Sequence, residues 1–158
     1  MNRAGAPHIA WAVLAALIAG CGSSQSAPAQ EPSRTTLSRP PASPDLLRAE
    51  RLLAEGKVPE AKRLFEQALA DNPRDVRALL DLGLALEASG DWASAEKAYR
   101  RATTLGPNFA EAFNNLGVLL REAGKLPEAT EMLERAVALD PALVAARFNL
   151  ALSYEEQG

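Results

Sequence analysis

The feature that most limits what this chain can fold into is a period. Gly56, Gly90, Gly124 and Gly158 stand 34 residues apart, and so do Pro73, Pro107 and Pro141. Ala61, Ala95 and Ala129 keep the same step, as do Ala68, Ala102 and Ala136. Four independent sets at one spacing mean that a single supersecondary unit recurs from about residue 44 onward. A unit of this size cannot bury its own apolar surface, so each copy must stack on the next.

The residues within one period say what the unit is. Leu79, Leu82 and Leu86 recur three and four apart, which lines one face of a helix. Gly83 and Gly117 fall on that face, where the two helices of a hairpin must cross closely, and Ala49 and Ala151 meet the same need less fully. Gly56, Gly90 and Gly124 sit where this first helix should stop, suiting the left-handed residue after a helix C-terminus. Pro59 and Pro127 stand near the start of a second helix, where a missing N–H costs nothing. Pro73, Pro107 and Pro141 then keep that helix from running on.

This pattern resembles the tetratricopeptide repeat. The second copy reads Leu79-x-x-Leu82-Gly83-x-x-Leu86, then Ala95-x-x-x-Tyr99 and Pro107; the third reads Phe113-x-x-Leu116-Gly117-x-x-Leu120, then Ala129-x-x-x-Leu133 and Pro141. The first is degenerate where Arg48-Ala49 replaces Leu-Gly, but recovers with Leu52, Ala61, Phe65 and Pro73; the fourth has only a first helix, with Leu150-Ala151-x-x-Tyr154. The resemblance implies an all-α fold, a right-handed α-α superhelix of about 3.5 hairpins, with repeats over about 44–75, 76–109 and 110–143 and a partial one over 144–158. Seven helices are predicted, over about 45–55, 59–71, 75–89, 92–105, 109–123, 126–139 and 142–157, with the first helix of each pair on the concave side. A generic helical bundle is the alternative, which the fixed period disfavours. At Gly158 a turn into another second helix is due, so the last helix either serves as an imperfect cap or belongs to a longer repeat protein. Leu143, Leu150 and Tyr154 are expected to pack on the third repeat, while Phe148 and Leu152 look into the groove.

The N-terminal segment stands outside this pattern. Arg3 precedes an apolar run from Ile9 to Gly20 that is too short to cross a bilayer as a mature helix, and residues 1–20 read as a signal peptide. Ile18-Ala19-Gly20-Cys21 resembles the bacterial lipobox, which implies lipidation of Cys21. Gly22, not Asp, follows, and by resemblance to the enteric sorting rule this favours the outer membrane, facing the periplasm. The alternative is an ordinary signal peptide cut near Ala19 that leaves Cys21 as a free thiol. Residues 21–43, rich in Ser, Pro and Ala, have almost nothing to bury and read as a disordered tether. Such a tether would hold the repeats on the order of 25 Å from the membrane.

Composition narrows the chemistry. A formal net charge of -3 with both signs interspersed gives no field that would recruit nucleic acid. The single cysteine and single histidine, Cys21 and His8, both precede the repeats, so the repeat domain has neither a histidine base nor the usual zinc ligands. The carboxylate pairs Glu50 and Glu55, Glu128 and Glu131, and Glu155 and Glu156 are interleaved with Lys and Arg and read as solvated faces. Gly83 and Gly117 lie singly within helices, and no Gly-rich phosphate loop is present. Neither a cofactor nor a metal is expected.

Binding of a protein or peptide in the concave groove is what the resemblance implies. The first helices project Arg77, Leu80 and Leu84 from the second repeat, Asn114, Val118 and Arg121 from the third, and Phe148, Leu152 and Glu155 from the last helix, with Asn115 and Asn149 beside the groove. The asparagines have an alternative role in bonding neighbouring backbone, and the leucines in packing against a cap or a further helix. Chaperone-binding members clamp a terminal carboxylate with Lys, Arg and Asn, whereas Leu80, Leu84 and Val118 stand where such groups are wanted, so an apolar or mixed segment is expected. The leading expectation is therefore a lipid-anchored adaptor or assembly factor for an envelope complex, of the kind that helps pilus secretins assemble. A recruiter of peptidoglycan-processing enzymes is the alternative, and an enzyme the reading least supported.

Overall fold

The computed structural model describes residues 43–158. The expected signal peptide, Cys21 and all but the last residue of the expected tether lie outside the described residues. Seven helices follow one another: α1 (Pro44–Ala54), α2 (Val58–Asp71), α3 (Val76–Ala88), α4 (Trp92–Leu105), α5 (Ala110–Glu122), α6 (Leu126–Leu139) and α7 (Val144–Gln157). Every predicted helix is present.

Local chemistry sets the ends. Ser43 caps α1 by accepting from the Leu46 N–H at 3.2 Å, and Asp75 caps α3 by accepting from the N–H groups of Arg77 and Ala78, both at 3.0 Å. The first helix of each hairpin ends in the same double bond. Lys57 N–H reaches Leu52 O while Gly56 N–H reaches Leu53 O; Asp91 and Gly90, then Lys125 and Gly124, repeat it on α3 and α5. This motif needs a left-handed residue between the two donors, and the three glycines supply it at φ 76, 81 and 75°. The 34-residue period is therefore a repeat of backbone geometry.

Consecutive helices pack as antiparallel neighbours throughout. Across hairpins, α1 also meets α3 and α5 meets α7, while α2, α4 and α6 make no comparable approach to one another. First helices that lie closer together than second helices define the inner side of a curved array. Two cores hold it. One gathers Leu46, Ala49, Ala61, Phe65, Ala78 and Ala85; the other gathers Leu79, Leu86, Tyr99, Leu116, Leu120 and Ala129 among its members. Gly83 and Gly117 are where helices of a hairpin touch. A Cβ on Gly83 would meet the Tyr99 ring, with Cδ1 at 2.6 Å, and one on Gly117 would lie 2.6 Å from Leu133 Cγ.

Candidate functional site: the concave face and its three junctions

The inner face follows the first helices, which meet at α1–α3 and α5–α7, and each stretch has its own chemistry. At α1–α3, Arg77 donates to Glu50 Oε1 from Nε at 2.9 Å and from Nη2 at 2.6 Å, with Asp81 Oδ2 3.9 Å from Nε. The Arg77 side chain is only 12 % exposed and Asp81 is buried. Glu50, expected on a solvated face, is instead one arm of a partly buried ion-pair group. The guanidinium of Arg77, which the sequence projected into the groove, is engaged in this group.

Near the end of α3 lies a raised carboxyl. Glu87 of α3 is half-buried, and burial first, then the negative charge of Glu122 on α5, push its carboxyl up to about 7 from the ordinary 4.5. Beneath it lies the Tyr99 hydroxyl of α4, which passes the notch at Gly83 to reach this side. Tyr99 is fully buried, and its hydroxyl lies near Glu87 and Asn115 without a well-aligned hydrogen bond to either. Burial, with the charges of Glu87 and Asp81, holds its phenol well above the usual range. The sequence reading missed Glu87, Glu122 and Tyr99. Glu87 was legible as a groove position, because it stands one period before Arg121; Tyr99 was not, since it belongs to a second helix and its ring lies against the glycine notch.

At α5–α7 the contact is made of amides. Asn149 Nδ2 donates to Asn114 Oδ1 at 2.9 Å, and Asn114 Nδ2 donates to Asn115 Oδ1 at 3.1 Å. The asparagines thus bond one another across helices. Arg121 Nη1 donates to Glu156 Oε1 at 2.8 Å, while its buried Nε makes no hydrogen bond. Behind this junction Thr130 and Ser153 share a buried hydroxyl contact at 2.7 Å, fixing α7 on α6.

The apolar groove positions divide. Leu80 is only 2 % exposed and belongs to the second core, so it is withdrawn from the binding set: its direction on α3 places it between hairpins. Leu84 is half-buried and packs against the same core. Val118 and Leu152 are half-buried, Glu155 is exposed, and Phe148 is 63 % exposed. Tyr154 also departs from expectation. Rather than packing fully on the third repeat, it is half-exposed and its hydroxyl donates to Glu134 of α6 at 2.6 Å. Elsewhere, a shallow open depression between α5 and α6 is lined by Phe113, Met132, Arg135 and their neighbours. Among the described residues no helix is long and apolar enough to cross a membrane, and no group of His, Cys, Asp or Glu is placed to hold a metal.

This architecture is shared with solved structures of low identity, which establish the fold alone. The second repeat domain of human RPAP3, in complex with an HSP70 peptide SGPTIEEVD, has a TM-score of 0.64 at 23 % identity, covering 70 % of this chain and 92 % of that one. The Yersinia enterocolitica type III secretion chaperone SycD, in complex with a peptide of the translocator YopD, has a TM-score of 0.66 at 19 % identity, covering 72 % and 92 %. The Sgt2 repeat domain of Aspergillus fumigatus has a TM-score of 0.68 at 22 % identity, covering 75 % and 82 %. Among curated proteins, none matches the chain. A family profile described as tetratricopeptide repeat matches residues 46–110, 80–143 and 114–158. With the profile spanning all seven helices and the helix-ending motif repeating at its period, the chain belongs to the tetratricopeptide repeat family.

Proposed function

We propose that this chain is a lipid-anchored adaptor that captures a segment of a partner protein on its concave face, in the service of a cell-envelope assembly. The observation that carries the reading is the exposure of Phe148 at 63 %, with Leu152, Val118 and Leu84 of the first-helix set only half-buried. Full burial of such side chains is worth about 1.5 to 3 kcal/mol each, and a partner segment with apolar anchors would recover part of it. Relatives of the same fold hold peptides, in the human case one from HSP70 and in the Yersinia case one from YopD. Such a role asks for binding and needs no catalytic group.

Val118→Asp combined with Phe148→Asp tests the groove, because neither side chain is part of a core. Capture of partner protein from detergent-solubilised membranes should be lost while the helical circular dichroism is unchanged. Undiminished capture would move binding to the convex side. The anchor rests on Ile18-Ala19-Gly20-Cys21. Cys21→Ser should release the protein from the membrane fraction or leave it unprocessed, and unchanged fractionation with unchanged processing would remove the anchor from the proposal.

A further inference from the structure

The second helices α4 and α6 each cover one face of the first helix before them. On α3 that face carries Leu79, Gly83 and Leu86, all buried, and on α5 it carries Phe113, Gly117 and Leu120. One period on, the corresponding face of α7 carries Arg147, Ala151 and Tyr154. Among the described residues nothing covers it. Arg147 and Ala151 are exposed, Tyr154 is half-exposed, and Val144, two turns before Ala151, is 65 % exposed. Meanwhile α7 buries Ala146 and Ser153 and packs on α5 and α6.

This face is not a copy of the earlier two. A Cβ at Gly83 or Gly117 would collide with Tyr99 or Leu133 of the covering helix, and Ala151 carries that Cβ. A helix bringing a tyrosine or leucine to this point would therefore be held off. It would also bury the charge of Arg147, which stands where α3 has Leu79 and α5 has Phe113. What fits against Ala151 is another small residue, and what fits against Arg147 is a carboxylate. Both are present on α7 itself. Exposed Glu155 follows Ala151 by four residues as Arg147 precedes it by four, so opposite charges stand about one turn to either side of the alanine on one face. Among the described residues neither makes an ion pair.

We propose that the uncovered face of α7 is a dimer interface, occupied by α7 of a second copy of this chain lying antiparallel with Ala151 against Ala151. The arrangement is isologous, so every contact occurs twice. Facing alanines let the two axes approach to about 8 Å, the close end of the usual range. Antiparallel crossing at this point brings each Arg147 alongside Glu155 of the other copy and over its Tyr154 ring. A parallel crossing would set Arg147 against Arg147. The Tyr154 hydroxyl, bonded to Glu134, holds that ring at the edge of the face. Of these residues only Glu155 was projected into the groove, so the dimer stands apart from the groove reading. A single helix pair falls below about 1,200 Å², the small end of specific interfaces. Association is accordingly weak, with a Kd on the order of 10 to 100 µM.

Sedimentation velocity of the full chain carrying Cys21→Ser, up to about 500 µM, tests this. The chain should dimerise, and Arg147→Glu or Glu155→Arg alone should each weaken dimerisation at least about tenfold, because like charges then face each other. Mixing the two variants should restore association as a heterodimer, since each places its reversed charge beside the unaltered partner of the other. Helical circular dichroism should be unchanged throughout, all of these side chains being exposed. In the same background Ala151→Cys should cross-link between copies under mild oxidation, as the short Cα separation of a disulfide requires, and Glu66→Cys on exposed α2 should not. A monomer at the highest concentration, or a dimer indifferent to both charge reversals, would overturn the proposal. So would variants that fail to associate on mixing. A monomeric chain in which Arg147→Glu abolishes capture of a different protein would overturn it in favour of that protein.

Discussion

The two ends of α3 treat their charges differently: Arg77 near its start is closed by Glu50 of α1, whereas Glu87 near its end is half-buried with its carboxyl raised. At the first, Arg77 satisfies Glu50 and lies beside buried Asp81, so the charges belong to the fold. At the second, burial first and then the negative charge of Glu122 push the Glu87 carboxyl up to about 7. One helix thus holds both a structural clasp and a carboxyl that burial keeps from its ordinary ionisation.

The sharpest break in this comparison is Arg77→Leu. It leaves Glu50 and buried Asp81 without their guanidinium, and removal of one member of such a group should cost about 2 to 3 kcal/mol in urea denaturation. Loss of less than about 0.5 kcal/mol, the scale of an exposed pair, would make the clasp a surface feature. Glu87→Gln should act in the opposite direction. The folded carboxyl, at about 7, lies above the ordinary 4.5, so its contribution is fully present below the lower value and is lost as pH rises through the higher. The substitution should therefore stabilise by on the order of 1 to 2 kcal/mol near pH 8 and by little near pH 4, since the side chain is partly solvated. A gain that does not grow with pH would remove the like-charge account. Tyr99→Phe should move stability of the free protein by no more than about 0.5 kcal/mol, since it deletes a hydroxyl with no hydrogen bond to lose. A larger loss would mean that the hydroxyl is bonded in solution.

How legible these features were depended on which face they lie on. The glycine, alanine and proline sets that recur at 34 residues are demands of backbone geometry and close packing, and those are identical in every hairpin. Helix ends, hairpin order and the notch at Gly83 and Gly117 could therefore be read directly. The inner face has no such constraint. Leu80 and Leu84 look alike in sequence and are four apart, but Leu80 turns between hairpins into the core while Leu84 stays at its edge. Which side of that line a residue falls on depends on the crossing of α3 with α5, and period alone does not give it. Pairings were harder still: Arg77 with Glu50 lies 27 residues apart, and Asn149 with Asn114 lies 35 apart, so each shares a junction only after stacking. Asn115, expected beside the groove, accepts from the Asn114 amide, a pairing of neighbours that period alone does not give.

That helices meet only their near neighbours along the chain has a kinetic consequence. Among the described residues no extensively packed pair skips more than one helix, so the closures needed to build the array span at most one intervening helix. Short closures lose little chain entropy before contacts repay it, and topologies dominated by them fold quickly. Folding can begin at any hairpin and spread outward, and the hairpin of α3 and α4 has neighbours to recruit on both sides. A protein delivered to its site as an unfolded chain would gain from this, because the interval in which the Leu79, Leu86 and Leu116 surfaces are open to aggregation is brief.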